Sequence, residues 1–543
     1  MSTFNRKSMK NKETLKYNTT INNEGEVVYD LNVLKSLLVK VVGSKFAADT
    51  FYKKANVEKE FKELISLIQQ IPEEDKEYAL KIALLGRYSG MIEYPLNTLL
   101  ACYNMPRYGK DFLDENGCSK FRYYSDLLVR RTKDVNHLVA GQIAMYGTSI
   151  KPQMRKNLNA KLESFDKYKL SKGLDRGKFI SLADSLKLLR PTPINEEMSQ
   201  FYKDVIENKV TVGAGKTQIQ AEIQNVKLQE KQKKPKEEID LSKLVDSLYK
   251  ANLAALLKNI VMFINYGILD DDKHLQYTIK KITSKEDVLK SKILPYEIYA
   301  TYKSLSYLPN KECVQAIKDA LNKALDISID NVDDIKGYTA YLIDLSGSMS
   351  CGITNNSSIS AKEMASLLGA IAYKKGQGDI FVFADKCEVV SLNRSDSILT
   401  MVSILSKKHV GGCTYLDKAL NEIKEFAKKH NIKYDNLLLL SDNDCYRYNS
   451  RSGKLTIGDY ESLDSKVSSL MREGIFETMW INNLTGNTYT IANTDEMKKN
   501  LIFGFSPKFI DVMNLYYNIR NNDDLRPLID ELLELYKTKE NIL

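Results

Sequence analysis

From Asp30 to about Asp326, apolar residues recur at three- and four-residue spacing and almost nowhere at alternating spacing. At Tyr338 the period changes, and short unbroken apolar runs begin to alternate with helical stretches. A chain with that switch has to pack helix on helix first and helices on a sheet afterwards. The helical pattern is clear in DLNVLKSLLVKVV (30–42), EKEFKELISLIQQI (58–71), DKEYALKIALLGRYS (75–89) and SDLLVRRTKDVNHLVAGQIAMY (125–146). Gly43, Pro72, Gly90, Pro95, Pro106, Gly117 and Gly147 punctuate it. Paired helices with short links suggest an α-solenoid of HEAT type, although no fixed-period motif repeats.

Beyond the switch, Tyr341, Leu342 and Ile343 form an apolar run of the kind found in buried parallel strands, and it stops at Asp344. Small polar residues follow: Ser346, Gly347, Ser348 and Ser350. A second run, LLLLSDND (437–444), also ends on a carboxylate, Asp442. Between them, GGCTYLDKAL (411–420) sets Thr414 in a glycine-rich loop before an amphipathic helix. One Asp-x-Ser-x-Ser string is as readily a turn as a ligand set. Three strand or loop ends supplying Asp344, Ser346, Ser348, Thr414 and Asp442 point to a shared site at the carboxyl edge of a sheet. Such hard oxygens suit Mg²⁺, Mn²⁺ or Ca²⁺ and not zinc.

Composition narrows the class. A chain of 543 residues, 43% hydrophobic and 27% charged, is long enough for two or more soluble domains. No apolar run approaches the roughly 18 residues of a membrane span, and the start, MSTFNRKSMKNKE, lacks the apolar core of a secretory signal. Seven cysteines without a CxxC pair and four scattered histidines indicate neither a disulfide framework nor a zinc site. A cytoplasmic, monomeric protein without a membrane partner is expected.

The net charge of +9 is unevenly spread. Residues 335–543 hold 25 Lys+Arg against 26 Asp+Glu, so the preceding residues carry the whole excess. Its densest part is 151–190, with eleven basic residues against four acidic ones. Lys151, Arg155, Lys156, Arg176, Lys178, Lys187 and Arg190 are the candidate nucleic-acid contacts there, with Tyr168 as a stacking surface. A lysine-rich solvated face is the plainer alternative. Residues 208–240 shift to Gln, Lys and Glu and suggest an exposed insertion. GAGKT (213–217) is not a phosphate-binding loop, because Val210 stands where the first glycine is required.

The five oxygen residues resemble the metal-ion-dependent adhesion site of von Willebrand factor A domains, and all five positions match. The helical module before them, with LADSLKLLRPTP (182–193), AALLKNI and LPYEIYATYKSL, is similar to the TROVE module of the Ro autoantigen family. FVFADK, LLLLSDND, NTYTIANTDE and GFSPKFIDVMNLY follow in that family's order. Arg190 stands where relatives often have histidine, and the early helices and the 208–240 insertion depart from the family.

Residues 1–27 read as a polar arm with no amphipathic period and have no counterpart in the family; the resemblance implies a TROVE helical-repeat ring at 28–334 and an α/β Rossmann-like von Willebrand factor A domain at 335–543. It implies a non-catalytic protein of RNA quality control or processing that binds small noncoding, Y-like RNAs and misfolded structured RNAs. Single-stranded 3′ ends would enter a basic ring while duplex lies outside. A 3′-to-5′ exoribonuclease is an implied partner. Ser346, Ser348 and Thr414 would hold the metal by hydroxyls and Asp344 and Asp442 through water, leaving a position for an acidic protein ligand. Two other classes stay open: a metal-dependent protein-interaction platform without RNA, and a metal-dependent enzyme acting on phosphates. The second lacks an evident base or nucleophile, since Cys351 and Cys413 have no assigned histidine partner.

Overall fold

The computed structural model describes residues 18–21, 27–30, 33–42, 54–147, 149–174, 180–210, 222–223, 225–227, 240–353, 357–443, 457–484, 498–503, 509–522 and 524–541. Contacts group the chain into two compact units: residues 1–44, 49–215 and 515–543 form one, and 45–48 with 216–514 form the other. This grouping does not follow the change of period at Tyr338, since the helices after residue 240 group with the sheet.

The first unit opens with an antiparallel pair, β1 (Asn18–Ile21) and β2 (Val27–Asp30), where the sequence showed only a polar arm. The two segments carry the β-branched residues of that region, Thr19, Thr20, Ile21, Val27 and Val28, around an Asn- and Gly-containing link. Helices follow: α1 (Val33–Val42), α2 (Lys54–Gln70), α3 (Glu77–Tyr88), α4 (Glu93–Tyr103), α5 (Lys120–Leu128), α6 (Thr132–Tyr146), α7 (Pro152–Glu163), α8 (Lys167–Ser171), α9 (Leu182–Leu189) and α10 (Glu196–Ile206). Leu37, Leu80, Leu84, Leu99, Leu138 and Leu158 line its core at the spacings read from the sequence.

The stretch 125–146, continuous by period, is two helices. Asp134 causes the break by accepting hydrogen bonds from the amides of Arg130 (3.0 Å) and Arg131 (3.1 Å), the unpaired donors at a helix start. Asp134 also takes the Arg87 guanidinium at 2.6 Å, with side chains 1% and 5% exposed, so this buried carboxylate is paired. A late helix, here α22 (Leu525–Asn541), belongs to the same unit. Its Asp530 accepts from Tyr78 Oη (2.8 Å) and Lys81 Nζ (2.6 Å), and Tyr536 stacks on Tyr88 with centroids 5.3 Å apart.

The second unit begins with α11 (Ser242–Lys250), α12 (Leu253–Asn265), α13 (Asp272–Thr283), α14 (Lys285–Ser291), α15 (Pro295–Ser304) and α16 (Glu312–Ser328). A six-stranded sheet follows, in the order β5-β4-β3-β6-β7-β8. Its strands are β3 (Tyr338–Asp344), β4 (Gln377–Phe383), β5 (Cys387–Val389), β6 (Tyr434–Ser441), β7 (Phe476–Asn483) and β8 (Lys499–Phe503). All neighbours are parallel except β5, which runs antiparallel to β4. The helices between them are α17 (Ala361–Lys375), α18 (Ile398–Ser406), α19 (Leu416–His430) and α20 (Ile457–Arg472), with α21 (Phe509–Arg520) after β8.

On one face Ala340, Leu342, Phe381, Leu437, Leu439 and Met479 meet Leu420 and Ile423 of α19 and Val467 of α20. On the other, α17 lies so close that a Cβ on Gly369 would stand 2.3 Å from Ile343 Cδ1. The helices before the sheet dock on that layer. Lys303 pairs with Glu363 at 2.6 Å, and Asp326 accepts from the Ile398 amide at the start of α18 (2.9 Å). Strand order reverses at β3, between β4 and β6, so the carboxyl ends of β3 and β6 flank a topological switch point, the position where such sheets hold ligands.

Candidate functional site

The carboxyl end of β3 delivers Asp344 into full burial. Its Oδ1 accepts from the Ser346 amide (2.9 Å) and its Oδ2 from the Ser441 hydroxyl (2.6 Å). Among the described residues no lysine or arginine pairs with it. Burial therefore pushes the carboxyl up to about 7, the neighbouring Asp442 charge adds to the rise, and the two serine contacts oppose it. Ser346 and Ser348 bring their hydroxyls within 3.2 Å of each other. Asp442, at the end of β6, is 4% exposed.

Thr414 comes from the loop before α19 and is 1% exposed. The backbone joins that loop to the serine loop, as the Gly347 amide donates to the Gly412 carbonyl at 2.9 Å. The residues expected from sequence thus lie on adjoining loops at one sheet edge. The donor set fits a hard divalent cation on two counts: a buried carboxylate with no cationic partner among the described residues, and paired hydroxyls.

Sequence reasoning missed two contributors. Ser441 bridges the sheet edge, donating to Asp344 while accepting from the Asn443 amide (3.0 Å). Asp385, just beyond β4, accepts from the Cys413 amide at 2.7 Å, and that bond holds its carboxyl below the usual range. Ser441 stood visibly beside Asp442, but only the β3–β6 pairing shows that it faces Asp344.

The basic candidates lie in the first unit. Pro152 opens α7 after Lys151, and Arg155 and Lys156 follow in its first turns. Ser181 and Asp184 form a capping box at the start of α9, and Lys187 lies in its last turn. Arg190 ends α9 in the left-handed conformation (φ 57°, ψ 57°), with Pro191 next. Asn159, one turn beyond Arg155 on the same side of α7, donates to the Leu189 carbonyl at 3.1 Å, which fastens the α7 face to the end of α9. Lys151, Arg155, Lys156, Lys187 and Arg190 are all exposed, and none has an acidic partner among the described residues.

Their neighbours differ: Lys161 pairs with Asp126 (2.8 Å), Lys167 with Glu197 (3.6 Å), and Lys172 sits 4.5 Å from the ring centroid of exposed Tyr168. Arg176 and Lys178 lie outside the described residues, as do most of 208–240 and the segment NTYTIANTDE.

A helical-repeat chain that carries a von Willebrand factor A-like sheet is the class this architecture defines. Within that class, the chain shares its fold with the Ro (RSR) protein of Deinococcus radiodurans. The crystal structure of that protein is similar over 90% of this chain and 99% of its own, with a TM-score of 0.60 and 17% sequence identity. No protein-family model matches the sequence, and no curated protein matches it. Among the described residues no helix is long and apolar enough to cross a membrane.

Proposed function

We propose that this chain is a non-catalytic RNA-binding protein that takes structured RNAs with single-stranded 3′ ends, the small noncoding and misfolded RNAs that its likeness to Ro proteins suggests. The observation that carries the reading is the set of five exposed, acid-free cations at the α7 and α9 ends, Lys151, Arg155, Lys156, Lys187 and Arg190. Among the described residues, other cations of this unit are engaged, as Lys40 is with Glu63, Lys81 with Asp530 and Lys120 with Glu77. Uncompensated charge of this kind favours phosphates and carries little sequence preference. Exposed Tyr168 adds a surface on which an unpaired base can stack.

The sheet edge is assigned Mg²⁺, with Mn²⁺ or Ca²⁺ as substitutes. Ser346, Ser348 and Thr414 would hold it by hydroxyls, with Asp344 and Asp442 as the anionic partners. A metal bound there supplies a hard cationic centre able to accept a carboxylate from a protein ligand. An exoribonuclease that degrades from the 3′ end is the class of partner such an RNA binder would serve.

The test is binding of one hairpin RNA with a single-stranded 3′ tail and of the same hairpin with a blunt end. The tailed RNA should bind more tightly. Equal affinity would remove the 3′-end reading, and no binding of either would remove the RNA assignment.

A further inference from the structure

We propose that Asp385, which is not one of the five oxygen donors, is the positioning residue that sets the Thr414 loop for metal binding. The inference rests on the metal reading above and adds a sixth residue to it. Asp385 lies two residues past the end of β4, and two backbone ties already hold the flanks of the 410–415 loop to that strand end. The Asp385 and Lys386 amides donate to the Val410 carbonyl (2.8 and 3.0 Å), and the Tyr415 amide donates to the Ala384 carbonyl (3.0 Å). The middle of the loop is held by the Asp385 side chain, whose Oδ1 accepts from the Cys413 amide at 2.7 Å, one residue before Thr414.

The loop has been shaped to pass over this carboxylate. Gly411 has φ +107°, and a Cβ there would lie 2.3 Å from Asp385 Cγ and Oδ2, so only glycine fits. From the far side of the same loop, the Gly412 carbonyl accepts from the Gly347 amide, between Ser346 and Ser348. One carboxylate therefore fixes the peptide that touches the serine loop and the residue that precedes Thr414. Without it the two hydroxyl-bearing loops lose their common anchor, and Thr414 must be ordered at the moment the ion binds.

The experiment is Mn²⁺ binding to the full chain by electron paramagnetic resonance, with amide exchange of 411–415 measured without metal. The variants are Asp385→Ala, Asp385→Asn, Thr414→Ala and the Asp385→Ala/Thr414→Ala pair. Asp385→Ala should weaken Mn²⁺ binding by about tenfold or more and speed exchange in 411–415. Asp385→Asn keeps the acceptor and should restore most of the affinity. In the Asp385→Ala background, Thr414→Ala should cost little more, because the two act through one contact.

Unchanged Mn²⁺ affinity in Asp385→Ala overturns the inference and leaves the metal reading standing. Fully multiplicative effects of the two substitutions, or an Asn variant as weak as the Ala variant, also overturn it. If Asp385→Ala does not fold, Asp385→Ser supplies the same comparison with a shortened acceptor. A wild-type protein that binds no Mn²⁺ refutes the metal reading, and the inference with it.

Discussion

Reversing charge at Lys151, Arg155, Lys187 and Arg190 (each →Glu) should flatten the salt dependence of RNA binding without unfolding the protein. All four side chains are exposed and lack acidic partners among the described residues, so no such ion pair is lost when they change. Each phosphate contact contributes about 0.7 to 0.9 to the slope of log affinity against log salt, so four lost contacts lower its magnitude by about 3. Between 50 and 200 mM salt the wild-type affinity should then fall roughly 60-fold further than that of the variant.

The control is Lys62→Glu in the same unit, because Lys62 is exposed but already paired with Glu58 at 2.6 Å. It changes net charge per site by the same amount and should leave the slope near wild type. Filter binding or fluorescence anisotropy across five salt concentrations resolves a change of this size, once circular dichroism shows that each variant is folded. Equal slopes for the fourfold variant and wild type would mean that the α7–α9 face is only solvated. A slope lowered as far by Lys62→Glu would mean that the effect is one of total charge.

Three further outcomes follow from the geometry. Asp344 titrates near 7 when folded and near 3.8 when unfolded, so its contribution to stability is fully present at low pH and is lost as pH rises from about 4 through about 7. With each pH unit between those two values worth about 1.4 kcal/mol, the loss comes to a few kcal/mol. Asp344→Asn should flatten the pH profile of metal-free stability between pH 4 and 7, and in wild type stabilisation by Mg²⁺ should instead grow as pH rises through 7. Gly369→Ala should destabilise the sheet unit by about 1 to 3 kcal/mol in chemical denaturation, against a helix-propensity gain of about 1 kcal/mol, because its methyl would strike Ile343. Arg190→Gly should leave α9 as stable or raise stability by up to about 1 kcal/mol, since glycine accepts the left-handed conformation freely, yet lower the salt slope by about 0.8; lost stability or an unchanged slope would be contrary to the roles assigned here.

Much of the fold was legible because periodicity is local. The runs at 341–343 and 437–440 became β3 and β6, and their carboxylates stand at the sheet edge as read. Helical spacing marked 30–42, 58–71, 75–89 and 125–146 as helical, where α1 to α3, the end of α5 and α6 lie, but not the partners of these helices. The break between α5 and α6 escaped notice because Val129, Arg130 and Arg131 keep the helical pattern while the Asp134 carboxylate, three residues on, takes the amides of the two arginines. The grouping of α22 with α3 was equally hidden, since Asp530 and Tyr78 are remote in the chain and meet only in the fold.

The two candidate sites differ in how much their residues reveal separately. A phosphate-binding face needs only like charge on one side of neighbouring helices, so a dense basic stretch announces it. Which members stay uncompensated depends on distant acids: Asp126 engages Lys161, while nothing acidic among the described residues reaches Arg155. A metal site asks for converging oxygens, and three strand or loop ends supplied them in recognisable order. What holds them in place is subtler. Ser441 and Asp385 are an ordinary serine and an ordinary post-strand aspartate until β3 lies between β4 and β6. That strand order sets Ser441 against Asp344 and leaves Asp385 beneath the Thr414 loop. Donors are written in the sequence as residue types, whereas their supports are written as topology, and the supports decide whether the oxygens wait in place for the ion.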